Sequence, residues 1–566
     1  MSTLHGIGVS PGRILGPVRR MADAIDSPQD TDASVRQAPG YVEDSTARLK
    51  QAGQAVAAGL RARAEQADPA GADVLSATAL MATDSMLHKT AGKALAAGRG
   101  LEPAIWEAAE TVAAMLTSLG GYMAERAADV YDVRSRIIAE LRGVPAPGIP
   151  DSATEFILLA RDLAPADTAT LDPVRVIALV TSEGGPQSHT AILARALGIP
   201  AIVAATGAES IPEGTDIYVD GAAGTVCTAP GDEQRVAAQA FAARAPLEIF
   251  DGHGTTADGR RVPLLANVGG GADAGAAAAA GAEGVGLLRT EFCFLGRDTE
   301  PGHDEQVAAY GAVFAEFPRK KVVVRTLDAG ADKPLPFLTD ASEPNPALGV
   351  RGFRTDTGAP GVLARQLAAI AEAAAAHQAQ VKVMAPMIST AQEATDFAAL
   401  CTVAGLPDSG IMVEVPSAAV RAASVLRPVA FASIGTNDLT QYTMAADRQL
   451  APLSALNDPW QPAVLELIRL TVSGAEAAGT SSGPIPPVGV CGEAAADPAL
   501  AVVLVGLGIA SLSMTARALA PVAAVLRTVT YAQASGLATL ALEAEGPAQA
   551  RTAVRSALPI LDELGL

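Results

Sequence analysis

Eight short runs rich in aliphatic and β-branched residues recur along the second half of the chain, and helical stretches separate them. The predicted strands cover 262–268, 284–290, 321–328, 381–387, 410–416, 431–437, 488–493 and 509–514. The clearest predicted helices cover 276–282, 307–317, 364–377, 390–400 and 463–478. Strands that alternate with helices in this way are typical of a (β/α)₈ barrel of the TIM type. The sequence therefore predicts such a barrel over residues 258–566.

The first part of the chain follows a different pattern, and 566 residues are too many for a single hydrophobic core. Two short strands are predicted within 1–20, and further strands at 156–160, 176–180, 201–204, 217–219 and 225–227. Between them, apolar residues recur at helical spacing without a strand pattern. We therefore predict a multidomain α/β protein in which 1–25 and 147–229 form an α/β domain. A helical bundle is inserted at 26–146, and a linker helix with a glycine-rich loop occupies 230–257.

The segment GGPQSHT at 184–190 connects a predicted strand to a predicted helix that ends near Gly198. His189 therefore lies in the first turn of that helix, where free N–H groups and the helix dipole favour a phosphate-sized anion. A histidine in this place can carry a phosphoryl group on its imidazole. The alternative is a histidine that only packs in the core or caps the helix, which is the commoner role of a single histidine. These residues alone leave both interpretations open.

Composition excludes several classes of function. Acidic residues outnumber basic residues by 61 to 41, so the formal net charge of −20 argues against nucleic acid or an anionic membrane surface as the main partner. The four cysteines are far apart, so we predict no disulfide framework or zinc site and expect a reducing cytoplasm. The uncharged stretch 498–515 is interrupted by glycines, and we predict a buried helix, turn and strand rather than a membrane span.

Polar side chains gather at the predicted ends of the barrel strands, where enzymes with this fold carry their active sites. They are Asn267, Arg289, Glu291, Arg325, Asp328, Glu414, Asn437, Asp438, Cys491 and Glu493, with Arg448 in the loop after the sixth strand. Arginines bind carboxylate and phosphate oxygens, and carboxylates with an amide suit Mg²⁺. The sequence therefore predicts a site for a small phosphorylated carboxylic acid with Mg²⁺. For Cys491, position alone favours a buried apolar residue over a proton donor.

These motifs make the chain similar, over almost its whole length, to the phosphoenolpyruvate–protein phosphotransferase family, enzyme I of the bacterial sugar phosphotransferase system. The matching motifs are GGPQSHT at 184–190, LLRTEF at 287–292, VRTLD at 324–328, IMVE at 411–414, GTNDLTQYTMAADR at 435–448 and CGE at 491–493. The run at 435–448 is long and specific. Together the motifs make a chance resemblance very improbable.

The resemblance implies a mechanism for the site. Phosphoenolpyruvate would bind in the barrel to Arg289, Arg325, Arg354, Asn437, Asp438 and Arg448, and Glu414 and Asp438 would hold Mg²⁺. His189 would be the nucleophile that becomes a phosphohistidine, with Thr168 as its hydrogen-bonding partner. Cys491 would protonate the enolpyruvate carbon and release pyruvate, which reverses the preference from position alone.

The resemblance also implies partners and a motion. The helical bundle would bind the histidine-containing phosphocarrier protein HPr, which accepts the phosphoryl group as the first step of sugar uptake. The α/β domain would swing between barrel and carrier, with a hinge near 252–259. Family members form homodimers through the barrel domain.

The sequence departs from the family pattern at a few positions. Pro186 and Gln187 replace the more usual Arg and Thr, Val415 a Thr or Ile, Val350 a Trp, and Ala331 a Gly. None of these changes removes a catalytic group, so we expect effects on rates and turn geometry only.

Two other functions compete with this interpretation. Nucleotide-dependent pyruvate phosphate dikinases and phosphoenolpyruvate synthases share the phosphohistidine domain and barrel, but they carry a large nucleotide-binding domain before the histidine. A catalytically weak regulatory paralogue is the non-enzymatic alternative, and the intact set of site residues argues against it.

Overall fold

The computed structural model describes residues 3–566 except for a set of short segments. These segments are 22–24, 31–35, 65–77, 120–126, 147, 151, 153, 164–170, 186–187, 245–246, 296, 331–334, 341 and 449. The chain divides into two compact units. Apart from Gly185–Ser188, the residues up to Ala238 belong to the first unit and Gln239–Leu566 to the second.

The first unit combines a sheet with a group of helices. Its strands are β1 (Thr3–His5), β2 (Ile7–Ser10), β3 (Arg13–Arg20), β4 (Phe156–Ala160), β5 (Val176–Thr181), β6 (Ala201–Val203), β7 (Asp216–Asp220) and β8 (Thr225–Cys227). Its helices are α1 (Tyr41–Ala64), α2 (Ser85–Ala96), α3 (Leu101–Leu119), α4 (Ala127–Arg142) and α5 (His189–Leu197). The strands form one sheet in the order β1-β8-β7-β3-β4-β5-β6-β2. Strands β3 to β6 run parallel, and α5 connects β5 to β6.

The beginning of the chain forms three strands where the sequence predicted two. Strands β1 and β2 lie at opposite ends of the sheet order although only Gly6 separates them, so the sheet curves until its ends meet. The Gly6 N–H donates to the carbonyl of Gly224 at 2.9 Å. A Cβ atom at Gly6 would lie 2.6 Å from the carbonyl oxygen of Val203, so only glycine allows this approach. The change of pairing partner occurs at a single glycine, with no proline or longer turn to mark it in the sequence, which explains the error.

Helices α1 to α4 lie between β3 and β4 in the chain and share one hydrophobic core. Ile105 on α3 and Val133, Ile137 and Ile138 on α4 are fully buried in it. These are residues whose helical spacing predicted the bundle. The predicted α/β domain with an inserted helical bundle is therefore confirmed as a fold class, whereas the exact domain boundaries stay predictions.

The second unit contains the barrel. Its strands are β9 (Leu264–Val268), β10 (Gly284–Arg289), β11 (Lys321–Arg325), β12 (Gln380–Ala385), β13 (Ser409–Val413), β14 (Phe431–Ile434), β15 (Val488–Val490) and β16 (Ser511–Met514). Each strand pairs in parallel with the next one, and β16 pairs with β9 to close the barrel. The predicted (β/α)₈ barrel is confirmed.

Helices surround these strands and bury their outer faces. After α6 (Asp232–Ala242), which spans the boundary between the units, they are α7 (Gly271–Ala279), α8 (His303–Glu316), α9 (Val362–Ala376), α10 (Ala391–Val403), α11 (Pro416–Val420), α12 (Ala422–Val425), α13 (Thr436–Met444), α14 (Pro462–Ser482), α15 (Pro498–Gly506), α16 (Leu519–Leu526), α17 (Tyr531–Leu542), α18 (Pro547–Ser556) and α19 (Ile560–Leu564). The apolar stretch 498–515 forms the buried helix α15, a turn and β16, as predicted. Of the helices described, none is long and apolar enough to cross a membrane.

A separate apolar cluster fills the barrel interior, because alternate residues of each strand face the axis. It includes Phe431, the first residue of β14, whose ring lies between two lysines. The Nζ atoms of Lys321 and Lys382 lie 5.5 Å and 5.8 Å from the Phe431 ring centroid. Lys382 is also 3.3 Å from Asp408. Burial, and then the charge of Lys382, lower the pKa of Lys321 to about 8.

Lys321→Met should stabilise the barrel at pH 7, because it removes a partly buried charge. The folded-state pKa of Lys321 lies below its unfolded value, so its cost is complete below about pH 8 and disappears as the pH rises toward 10.4. This difference in pKa corresponds to about 3 kcal/mol at pH 7. The measurement is urea unfolding at pH 7 and pH 10, followed through Trp460 fluorescence in a Trp106→Phe background.

Lys321→Arg is the matched control, because a guanidinium keeps its charge at both pH values. The free energy of unfolding of Lys321→Arg should not exceed that of the wild type at pH 7. It should also not rise at pH 10 as that of the wild type does. A stabilisation by methionine that is the same at both pH values would contradict the assignment of the effect to lysine ionisation.

Candidate active site

Charged side chains from several barrel strands meet at the C-terminal end of the barrel. Glu291 follows β10, Arg325 ends β11, and Asp328 and Arg351 lie between β11 and β12 in the chain. The other members are Glu414 after β13, Asp438 in the first turn of α13, and Arg448 after α13. All except Arg448 are buried. We call this set the charged cluster. It lies where (β/α)₈ barrels place their active sites.

Arg325 occupies the centre of the charged cluster. Its Nη2 donates to Glu291 Oε1 at 2.8 Å, and its Nη1 lies 3.2 Å from Asp328 Oδ2 and 4.0 Å from Glu414 Oε1. Burial by itself lowers the pKa of Arg325, but the three carboxylates outweigh burial and raise the pKa above its ordinary value. The guanidinium therefore stays charged in a region that excludes water, where its attraction for an anion is strong.

Arg351 is the second buried arginine and is 1 % exposed. Its Nη2 donates to both carboxylate oxygens of Asp328 at 3.1 and 3.0 Å, and its Nη1 donates to Asp438 Oδ1 at 3.0 Å. Arg354 instead donates to Ser389 Oγ at 2.8 Å. The structure thus brings Arg351 into the charged cluster, whereas Arg354, which the sequence had indicated, lies outside it.

The sequence reasoning missed Arg351 for a local reason. Both arginines belong to the segment GVRGFR at 349–354, and a short 3₁₀ helix begins at Gly352 with φ of 58°. The glycine marks a turn in the chain. It does not indicate which of the two arginines faces the strand ends, because that depends on where the turn packs.

Asp438 connects Arg351 to Arg448. The positive end of the α13 dipole stabilises the Asp438 carboxylate in the first helical turn. Arg448 Nη1 lies 3.6 Å from Asp438 Oδ2, and the backbone N–H of Arg448 donates to Gln441 Oε1 at 3.1 Å. Asn437 is half-buried beside Asp438. The predicted residues 437, 438 and 448 are therefore brought together.

Glu414 is 1 % exposed, and backbone atoms of neighbouring loops pack directly against its carboxylate. Its Oε2 accepts a hydrogen bond from the Met387 N–H at 3.0 Å, and Met387 has a φ of 62°, which is rare outside glycine. A Cβ atom at Gly435 would lie 2.6 Å from Glu414 Oε1. Burial, and then the negative charges of Asp438 and Asp328, raise the pKa of Glu414 to about 7.

The residues predicted to hold Mg²⁺, Glu414 and Asp438, fit that ion. Burial, and then the charge of Asp438, raise the pKa of Glu414, and a bound cation would favour the charged form of both carboxylates. Within the part of the chain that the structure describes, no group of three or more His, Cys, Asp or Glu side chains forms a metal-binding cluster. Two carboxylates are nevertheless enough for Mg²⁺, which keeps water ligands and takes substrate phosphate oxygens.

Cys491 follows β15 and is 3 % exposed. Burial raises the pKa of its thiol to about 11, although a hydrogen bond with Ser433 and the charges of Arg325 and Arg289 oppose this effect. The thiol therefore keeps its proton at neutral pH. The Cys491 carbonyl accepts a hydrogen bond from Asn267 Nδ2 at 3.3 Å, which connects it to β9. Arg289 ends β10 with an exposed side chain.

In the first unit, His189 is the first residue of α5, as the sequence predicted. Thr190 follows it and is fully buried, and its Oγ1 donates to Asp162 Oδ1 at 2.6 Å. Four positions named in the sequence analysis lie outside the described residues. They are Thr168, the predicted partner of His189, and Pro186, Gln187 and Ala331, which depart from the family pattern.

Arg351→Ala should destabilise the barrel, because it leaves the carboxylates of Asp328 and Asp438 buried without their shared cation. Removal of one partner from a buried ion pair costs about 3–5 kcal/mol. Urea unfolding followed through Trp460 fluorescence measures the loss.

Arg354→Ala is the matched control, and its loss should be smaller, about 1–2 kcal/mol, because Arg354 is only partly buried and its removal leaves no buried carboxylate unpaired. Equal losses in the two variants would show that the charged cluster contributes no special stability.

Family models match three consecutive parts of the chain. Residues 5–126 match the N-terminal domain of PEP-utilising enzymes, residues 153–224 the mobile domain, and residues 249–531 the PEP-binding domain. The last match contains the charged cluster, and the second contains His189.

Curated relatives match nearly the whole chain. A phosphoenolpyruvate-protein phosphotransferase of Streptomyces coelicolor is 50% identical over 98% of this chain and 99% of the relative. One of Haloferax volcanii is 40% identical over 97% and 98%, and one of Bacillus subtilis is 36% identical over 92% and 93%. With this coverage, its closed barrel and its intact motifs, the chain belongs to the phosphoenolpyruvate-protein phosphotransferase family of PEP-utilising enzymes.

Proposed function

We propose that this protein transfers the phosphoryl group of phosphoenolpyruvate to His189, then to a histidine of the phosphocarrier protein HPr, and releases pyruvate. This is the first step of the PEP-dependent sugar phosphotransferase system. The observation that carries the proposal is the charged cluster. It places two buried arginines and the carboxylates of Glu414 and Asp438 at the catalytic end of the barrel.

Phosphoenolpyruvate carries a phosphate and a carboxylate, and guanidinium groups are proposed to bind both. Arg325, Arg351 and Arg448 already pair with carboxylates of the charged cluster, and Arg289 is exposed at the same barrel end. When the substrate binds, its oxygens would replace some of the carboxylates that these arginines now contact. Arg354 is proposed to support this loop from outside the charged cluster, through Ser389.

The phosphoryl transfer is a displacement at phosphorus. The bond between phosphorus and the enol oxygen breaks as an imidazole nitrogen of His189 forms the new P–N bond. The departing enolate is protonated at its methylene carbon by the Cys491 thiol, which yields pyruvate. A thiol pKa of about 11 keeps that proton in place until the enolate forms. Positioning and electrostatic stabilisation supply most of the acceleration in such transfers.

Glu414 and Asp438 are proposed to hold Mg²⁺. When bound, the ion would neutralise charge on the phosphoryl oxygens. The Met387 N–H would keep the Glu414 carboxylate in place by its hydrogen bond, and Gly435 leaves room for the carboxylate because it has no side chain.

The helical bundle of α1 to α4 is proposed to bind HPr. Met86 on α2 and Met115 on α3 are exposed, and methionine side chains adapt well to a partner surface. His189 must then reach two sites, so the α/β domain must move. The predicted hinge at 252–259 is bonded to the barrel, for example from Gly254 N–H to Glu283 and from Tyr531 N–H to Asp258. These bonds oppose rotation there, and the hinge stays a prediction.

A homodimer through the barrel is also proposed. Phe292 and Leu295 follow β10, and Leu348 and Val350 lie between β11 and β12, all with exposed apolar side chains. Exposed apolar groups on neighbouring loops are what a second copy would cover. We place the protein in the cytoplasm, where its four free cysteines would stay reduced.

The decisive experiment is incubation with ³²P-phosphoenolpyruvate and Mg²⁺ in the absence of nucleotide. We expect acid-labile, base-stable label on the wild type that passes to HPr, and none on His189→Ala. His303→Ala is the matched control, since His303 is an exposed histidine paired with Glu372, and it should label normally.

Other outcomes would assign another function. Equal labelling of the wild type and His189→Ala would exclude His189 as the acceptor. Label that requires ATP would indicate a dikinase, and no label under either condition would indicate a regulatory paralogue.

Cys491→Ala should slow pyruvate formation while Mg²⁺-dependent binding of phosphoenolpyruvate remains, because the thiol acts on the enolate. Loss of a general acid typically lowers the rate by about 10²–10⁴-fold. Steady-state turnover and equilibrium binding are the two measurements. Cys401→Ala, which changes another buried thiol of the barrel, is the control and should retain its turnover. Similar turnover in both variants would remove Cys491 from the mechanism.

A further inference from the structure

The first turn of α5 is tied to the loop after β4 by hydrogen bonds that the proposed chemistry does not use. Thr190, the second residue of α5, is fully buried, and its Oγ1 donates to Asp162 Oδ1 at 2.6 Å. The distance is that of a charge-assisted O–H···O⁻ hydrogen bond, which is stronger than a neutral one.

The backbone N–H of Leu163 also takes part in this hydrogen-bonded link. The Leu163 N–H is directed at both atoms, with Asp162 Oδ1 at 2.9 Å and Thr190 Oγ1 at 3.2 Å. The Thr190 hydroxyl therefore donates to Asp162 and accepts from Leu163, so its rotation is determined. Thr190 and Leu163 are buried, whereas Asp162 is exposed. A valine would fill the same space as Thr190 but could make neither bond.

Both residues of this link lie next to elements of the proposed reaction along the chain. Thr190 is covalently next to His189, so it sets the position of the first turn of α5 relative to the sheet. Asp162 and Leu163 directly precede the segment that contains Thr168, the residue expected to hydrogen-bond His189. One pair of side chains therefore connects the helix of the proposed nucleophile to the residues directly before that segment.

We propose that Thr190 and Asp162 form a positioning pair that orients His189 for phosphoryl transfer. The proposal rests on the proposed function, because it assigns the pair to the phosphohistidine reaction. The pair touches neither phosphoenolpyruvate nor the reacting phosphorus. Its effect is on the rate of transfer to a correctly placed imidazole, since displacement of a reacting group by about 1 Å can cost roughly 100-fold in rate.

The test compares Thr190→Val with Thr190→Ser in single-turnover labelling by ³²P-phosphoenolpyruvate. We expect valine to slow labelling by about tenfold or more, and serine, which keeps the hydroxyl, to restore most of the rate. The KM for phosphoenolpyruvate should be unchanged in both, because the substrate site is proposed for the barrel. Thermal unfolding of each variant shows whether the domain is folded.

Asp162→Ala and Asp162→Asn provide a second comparison at an exposed residue, in case Thr190→Val does not fold. Alanine should match the valine variant, whereas asparagine keeps an acceptor oxygen and should be much less affected. Equal labelling rates for Thr190→Val and wild type, or equally slow rates for valine and serine, would overturn the positioning role. Absence of label on the wild type would instead overturn the proposed function itself, and this inference with it.

Discussion

The candidate site depends on the pairing of buried arginines with buried carboxylates. Arg325 and Arg351 are almost inaccessible to solvent, and each contacts two or more of Glu291, Asp328, Glu414 and Asp438. Removal of such charges from water is costly, and only close pairing offsets the cost. The charged cluster can therefore exist only where the backbone brings these residues together from several strands. The closed barrel does this, because all its strands present their C-terminal ends on one side.

This arrangement prepares the site for an anionic substrate in a strongly acidic protein. With a net charge of −20, the overall field repels an anion, so recognition must come from local groups. The buried guanidinium groups are placed to provide that recognition, and Glu414 and Asp438 offer carboxylate oxygens of the kind that the proposed Mg²⁺ prefers. Positive and negative groups are thus interleaved in one small region, as the proposed Mg²⁺-assisted phosphoryl transfer would require.

The structure positions the proposed nucleophile, His189, and the side chains of the barrel site in different ways. In the barrel, strand ends and helix starts hold side chains directly, as α13 holds Asp438. In the α/β domain, His189 begins a helix, so its position depends on how the first turn is anchored. Thr190 and Asp162 supply that anchor through side-chain hydrogen bonds.

The sequence by itself determined the fold class and the family. Alternating strand and helix patterns predict the barrel, helical spacing predicts the bundle, and the motifs around His189, Glu414, Asp438 and Cys491 indicate the family, because each of these signals is local in the chain. Only the tertiary structure decided which arginine of 349–354 enters the charged cluster, and that the segment 3–10 divides at Gly6 into two strands. Both outcomes depend on packing against residues far away in sequence, which a local pattern does not record.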